Sequence, residues 1–305
     1  MSILRFDNVV KSYEKTIAVD HVTFEIPKGK IFGMLGPNGA GKTSLIRIIT
    51  TITRADSGTI WLDGEKLNSH HPAQIGYMPE ERGLYKKMKV GEQLTYLARL
   101  KGLSAADTKK ELKYWFERFE ILSWWNKKIE ELSKGMQQKV QFIATVLHKP
   151  KLLILDEPFS GLDPINTNLI KDEIRKLNQA GTSIIFSTHQ MEQVEEMCEY
   201  IVLINKGKNV LNGKVNDIRQ EFKENLFKIE YTGELPAGLD DADAANAAFD
   251  VTTRTEGHLI MKVNEGGDSN ELLRFLIQKG VHIQSFNEVL PSINDIFIRQ
   301  VAASN

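Results

Sequence analysis

Nine consecutive residues, Gly36-Pro37-Asn38-Gly39-Ala40-Gly41-Lys42-Thr43-Ser44, have the types and spacing to do chemistry. They follow the pattern G-x-x-x-x-G-K-[ST] of a phosphate-binding loop. Glycines let a backbone wrap a polyphosphate with its N–H groups turned inward, and a helix starting at the loop adds the positive end of its dipole. Lys42 is placed to reach the β- and γ-phosphates, and the Thr43 hydroxyl to ligate Mg²⁺.

A second group of chemistry-bearing residues lies far downstream. Lys151-Leu152-Leu153-Ile154-Leu155-Asp156-Glu157 reads as a buried parallel strand ending in two acids. Carboxylates at the carboxyl end of a central strand face the crevice where α/β sheets bind ligands. That position suits Asp156 to hold Mg²⁺, directly or through water, and Glu157 to face the attacking water. The next strand, Ser183 to Ser187, delivers Thr188-His189 to the same edge, so His189 is expected beside the paired acids.

The elements that must position these groups can be read from periodicity. An apolar run, Ile31 to Leu35, precedes the phosphate loop and a helical run, Leu45 to Ile49, follows it, giving a strand–loop–helix. Leu4 to Val9, Val19 to Ile26 and Thr59 to Leu62 read as antiparallel strands on one flank, with Tyr13 in the linker between the first two. From Val90 to Leu147 the period changes to that of helices, with Leu112, Trp115, Phe116 and Phe119 on one face and Val140, Ile143, Ala144 and Leu147 on another. A helical subdomain is therefore expected over about 86–148. Trp124 and Trp125 are adjacent, so one helix face could not bury both. After Ser160-Gly161-Leu162-Asp163-Pro164 comes a helix with Leu169, Ile170, Ile174 and Leu177 inward and Gly181 as its cap.

Composition sets the limits. The 305 residues, with a net charge of −1, suffice for one large or two ordinary domains and carry no basic field for nucleic acid. A single cysteine, Cys198, excludes an intrachain disulfide and fits a reducing compartment as a small buried apolar residue on a helix. No apolar run approaches the roughly 18 residues of a membrane span, and the first residues do not begin a signal peptide, so any membrane part is expected from another chain.

Taken together these stretches resemble the ATP-binding subunits of ABC transporters. The phosphate loop, the acidic strand Leu152 to Glu157, the signature-like Leu132-Ser133-Lys134-Gly135-Met136-Gln137-Gln138, the D-loop-like Ser160-Gly161-Leu162-Asp163 and the switch-like His189 appear in the family's order. The resemblance implies an α/β P-loop NTPase over residues 1–217, with an antiparallel flank and the helical subdomain. It implies ATP and Mg²⁺ as cofactors, and Tyr13 as the aromatic that stacks on adenine. It also implies a head-to-tail pair of subunits, with Ser133 and Gly135, before a helix expected from Met136, offered to the partner's γ-phosphate. Asp163 would then tie one site to the other. Glu157 becomes the general base or water-positioning residue, and His189 a contact to the γ-phosphate.

At one position the sequence departs from the family. The coupling loop within Gly76-Tyr77-Met78-Pro79-Glu80-Glu81-Arg82-Gly83 carries Glu80 where Gln is usual, so Glu80 is expected on the metal side. Together with Lys134, Met136 and the run Pro291 to Phe297, this stretch resembles the subfamily serving sodium, drug and antibiotic exporters. The implied role is an ATPase that drives a separate transmembrane permease, peripheral on the cytoplasmic face of the cell membrane. The alternative is an ABC ATPase acting on ribosomes or DNA.

Residues 218–305 read as a small α+β domain with no metal cluster or nucleophile. Leu226 to Tyr231 is a strand, Ala237 to Ala247 an acidic loop, and Val251 to Val263 a hairpin turning at Glu256-Gly257. A helix through Leu272, Leu273, Leu276 and Ile277 ends at Gly280, and a strand, Val281 to Phe286, and a short helix complete the chain.

Overall fold

The computed structural model describes residues 1–81, 83–235, 248–264 and 266–303. Two compact units divide the chain, Met1–Val215 and Asn216–Asn305.

In the first unit β1 (Ser2–Tyr13) and β2 (Thr16–Pro27) form a long hairpin that continues through β4 (Ser57–Leu62) and β5 (Glu65–Lys66) in the order β2-β1-β4-β5. Alternation holds from Val22 through Phe24 to Ile26 on β2 and from Leu4 to Phe6 on β1; past Phe6 a register shift, with Asn8 at φ 51°, returns Val9 to the buried side. Tyr13 is the last residue of β1, paired with Thr16, and not part of a linker.

The second sheet of this unit holds β3 (Ile31–Leu35), β6 (Ile75–Met78), β7 (Leu152–Asp156), β8 (Ser183–Ser187), β9 (Tyr200–Asn205) and β10 (Lys208–Lys214) in the order β10-β9-β3-β8-β7-β6. Every pairing is parallel except β10 with β9. Central parallel strands are covered on both faces, and all residues of β3, β7 and β8 are buried accordingly. Between the two sheets the rings of Phe6, Phe24 and Phe32 stack in series, with centroids 4.4 and 5.9 Å apart.

Helices flank this core: α1 (Lys42–Ile49), α5 (Pro164–Gln179) and α6 (Met191–Met197) lie between strands, while α2 (Val90–Leu100), α3 (Ala105–Arg118) and α4 (Lys134–Val146) make the helical insert. Leu112, Trp115, Phe116 and Phe119 are buried as their spacing requires, and Trp115 and Phe119 meet Phe142 of α4. Val140, Ile143 and Leu147 are likewise buried. Trp125 is the more exposed of the two tryptophans, yet its ring still packs on Phe116 at 5.2 Å. Gly181 follows the end of α5 with φ 102°, a left-handed stop that glycine adopts without strain.

Three further positions differ from the sequence reading. Helix α4 starts at Lys134 and not at Met136, because the Ser133 hydroxyl already accepts the Met136 N–H and caps the helix. Glu157 falls just outside β7, at φ 49°. Cys198 is buried at the cap after α6 and not within a helix; burial pushes its thiol far above the ordinary range, so it is inert at neutral pH.

The second unit opens with α7 (Val215–Glu221), which begins at the last residue of the first, and contains a four-stranded antiparallel sheet. Strands β11 (Leu226–Thr232), β12 (Phe249–Thr255), β13 (His258–Val263) and β14 (His282–Val289) run in the order β12-β13-β11-β14. Helix α8 (Ser269–Gln278) buries Leu272 and Leu276 against Ile229, Leu259 and Met261, and α9 (Ile293–Ala303) ends the chain. The expected acidic loop 237–247 lies outside the described residues, as does Arg82 of the coupling-loop stretch. Among the described residues no helix is long and apolar enough to cross a membrane.

Candidate functional site

The topology makes the site. Strand β8 lies between β3 and β7, so the loop after β3, the acids after β7 and the histidine after β8 emerge side by side at one edge. Two glycines let the loop close on itself. Gly36 and Gly41 have φ 149° and 111°, and a Cβ there would sit 2.1 Å from the Ile204 carbonyl oxygen and 2.2 Å from that of Ala18. No side chain fits in either place. Gly41 then caps α1, whose first residues are Lys42 and Thr43.

Lys42 Nζ donates to the carbonyl oxygens of Gly36 at 2.7 Å and Pro37 at 3.1 Å. Burial pushes its pKa below the usual lysine value, and the nearby charges of Asp156, Glu157 and Glu80 pull it back. Asp156 is buried, and its carboxyl is pushed above the ordinary range, first by burial and further by the charges of Glu157 and Glu80. Lys42, Asp156, Glu157 and Glu80 therefore share one electrostatic neighbourhood.

Glu157 is held by three donors. The hydroxyl of Thr188 donates to its Oε2 at 3.0 Å, while the backbone N–H of His189 and its ring Nδ1 reach Oε1 at 2.9 and 2.6 Å. A carboxylate only accepts, so the proton is assigned to Nδ1, which leaves Nε2 as the second ring nitrogen. The Glu157 N–H in turn donates to the Ser187 carbonyl, which anchors the acid to β8 as well as β7.

The arrangement fits a metal–polyphosphate complex. A buried carboxyl with a raised pKa beside a glycine cradle is costly unless a cation arrives there. Among the described residues no three His, Cys, Asp or Glu side chains form a ready metal cluster. Mg²⁺ usually binds through one or two carboxylates and substrate phosphates, and Asp156 is the carboxylate that could serve it here.

Ser133 and Gly135 lie elsewhere. They share a cleft with Gly161, Asp163 and Lys139, and among the described residues no hydrogen bond joins either of them to the phosphate loop. Asp163 caps α5 by accepting the Asn166 N–H at 3.0 Å. Tyr13 is half-exposed at the hairpin tip, where Lys11 Nζ lies 5.3 Å from its ring centroid and pairs with Asp56 at 2.6 Å.

Several supporting residues escape a sequence reading. Gln138 and Gln141 are buried on the same helix as the apolar stripe of α4, and their side-chain amides donate to the carbonyls of Pro158 at 2.9 Å and Pro79 at 2.7 Å. They tie α4 to the loops that follow Glu157 and precede Glu80. Thr188 was signalled only by its place next to His189, and Asp56 by nothing local.

The family model described as ABC transporter matches residues 19–160, and that of the ATP-binding protein DrrA1-3-like C-terminal domain matches 213–301. The ABC transporter ATP-binding protein YhaQ of Bacillus subtilis (strain 168) is 45% identical over 301 residues, covering 99% of each chain. The linearmycin resistance ATP-binding protein LnrL of the same organism is 35% identical over 219 residues, 71% of this chain and 70% of the relative. A solved structure of an ATP-binding subunit of an ABC transporter superposes with a TM-score of 0.69 at 29% identity, over 72% of this chain and 93% of the other. With the phosphate loop, the paired acids and the histidine gathered at one sheet edge, these likenesses place the chain in the ABC transporter family, among its ATP-binding, ATP-hydrolysing subunits.

Proposed function

We propose that this chain hydrolyses ATP as one half of a head-to-tail pair of ATPase subunits and thereby drives a separate transmembrane permease that exports its cargo. One observation carries the reading. Exposed Ser133 and half-buried Gly135, at the start of α4, sit apart from the phosphate loop of their own chain. A helix start that offers N–H groups and a hydroxyl suits phosphate, and a second copy supplies that phosphate when two chains meet head to tail. In this reading Asp163 lies at the join between the two sites.

Within each site the loop residues Gly36 to Ser44 cradle the phosphates, Lys42 neutralises the β- and γ-groups, and Tyr13 stacks on adenine. Thr43 and Asp156 hold Mg²⁺, with Glu80 on the metal side; bound there, the ion would neutralise charge on the phosphate oxygens. Glu157 orients the attacking water and accepts its proton, and His189, fixed by its bond to Glu157, contacts the γ-phosphate.

Exposed Ile52 and Leu100, with Leu84 and Leu97, line an apolar cleft next to Pro79 and Glu80. A cytoplasmic segment of a permease is its fitting occupant, and the peripheral position on the membrane follows from that docking. The relatives named for linearmycin resistance and Nod factor export support export as the direction.

The test is a pull-down of the tagged protein from detergent-solubilised membranes, with stoichiometry by mass spectrometry. A polytopic membrane chain recovered about one to one is expected. Recovery of ribosomes or DNA-bound proteins without a membrane chain would overturn the transport reading and leave the ATPase chemistry intact.

A further inference from the structure

We propose that the first unit holds a second, non-nucleotide ligand site, which takes a small amphipathic organic anion: an apolar body bearing a carboxylate, sulfonate or phosphate. The site is a cleft of about 710 Å³ formed by α3, the end of α5 and the turns that lead into β7 and β8. That volume lies within the roughly 300–1,000 Å³ of drug-sized ligand pockets.

Its chemistry is amphipathic. Trp115, Val146, Pro150 and Leu177 supply apolar lining, and the half-exposed Tyr114 ring stands edge-on to Trp115 at 5.2 Å. Around them the cleft has five lysines and only two carboxylates. Both carboxylates are already matched. Glu111 pairs with Lys149 at 2.7 Å, and buried Glu173 with Arg118 at 2.6 Å and Lys176 at 2.9 Å. Lys28 and Lys151 share Asp63, and Lys110 has no ionic partner among the described residues. The cleft thus presents an excess of positive charge next to an aromatic wall, the complement of an anion with an apolar body.

Its place in the fold separates it from ATP. Lys151 and Thr182 immediately precede β7 and β8, whereas Glu157 and His189 follow them. Five residues of strand, roughly 16 Å, lie between the two ends. A ligand here leaves the phosphate loop open.

The full chain should be titrated with 8-anilinonaphthalene-1-sulfonate, followed by displacement with laurate or with neutral 1-dodecanol below their aggregation limits. Saturable one-to-one binding is expected, displaced by laurate, at least tenfold less sensitive to the alcohol, and unchanged by saturating Mg²⁺ and ATP. In the double variant Lys110→Glu/Lys151→Glu the affinity for the dye should fall tenfold or more. ATP affinity should stay within twofold, which also shows that the variant is folded. Tyr114→Ala should weaken the dye without altering its preference for laurate over the alcohol. Displacement by ATP, equal displacement by alcohol and laurate, or unchanged affinity in the double variant overturns the proposal.

Discussion

His189 Nδ1 lies 2.6 Å from Glu157 Oε1, so the histidine after β8 and the acid after β7 form one hydrogen-bonded unit across neighbouring strands. The pairing is reinforced by the His189 backbone N–H and the Thr188 hydroxyl, which means that Glu157 is oriented by β8 as much as by its own strand. Glu157 holds this place with φ 49°, a backbone conformation uncommon for a residue with a side chain.

Glu157→Gln keeps the size of the side chain and one of its two accepting oxygens but removes the base. The variant should bind ATP normally, lose hydrolysis by about 10²-fold or more, and accumulate an ATP-bound dimer. Phosphate release and light scattering measure both effects. An active variant, or one that stays monomeric with ATP, would remove the role given to Glu157.

Lys42→Ala takes away the cation that now bonds the Gly36 and Pro37 carbonyls. ATP affinity should fall by about tenfold or more, since the cradle loses its point charge and two bonds that shape it. Fluorescent-nucleotide titration reports this directly, and equal affinity would place Lys42 outside the phosphate site.

Asp156→Asn should stabilise the nucleotide-free protein at neutral pH while abolishing Mg²⁺-dependent hydrolysis. Burial raises this carboxyl above its reference of 3.8, so between those two values the folded state binds more protons than the unfolded chain. Stability from this group is therefore lost as pH rises through that window. A rise in Tm of about 2–4 °C per kcal/mol recovered is expected in a thermal melt without nucleotide. A lower Tm would show that a partner already compensates the charge.

His148 gives the opposite pH dependence. Burial, with the Lys101 charge adding to it, depresses the imidazole from 6.5 to about 4, and its Nδ1 is buried without a partner. The unfolded chain takes up a proton near 6.5 and the folded one only near 4, so stability is full above 6.5 and is lost as pH falls towards 4. Between pH 7.5 and 5 the loss should reach about 2 kcal/mol, at about 1.4 kcal/mol per unit. Urea unfolding of the wild type and His148→Gln at both pH values checks it; parallel curves would show that His148 does not titrate in this range.

The sequence by itself determined the local chemistry. The spacing from Gly36 to Lys42 requires a loop that bends where only glycine can, and the Cβ clashes at Gly36 and Gly41 are the structural counterpart of that spacing. Periodicity likewise marked β7, β8 and the buried face of α3, because the side-chain repeats of strand and helix are properties of short stretches. Between Met191 and Lys214 the sequence marks only a helix at Cys198, whereas the stretch forms α6, β9 and β10.

What only the tertiary structure decided is adjacency between distant segments. Strand order is set by which buried faces pack together, and no window of sequence encodes that β8 inserts between β3 and β7. That insertion puts His189 on Glu157, whose charge, with that of Asp156, acts on Lys42. Gln138 and Gln141 are the same lesson at a finer scale: polar residues on a helix look solvent-facing until loops from β6 and β7 arrive with unpaired carbonyls, and a buried carbonyl must find a donor.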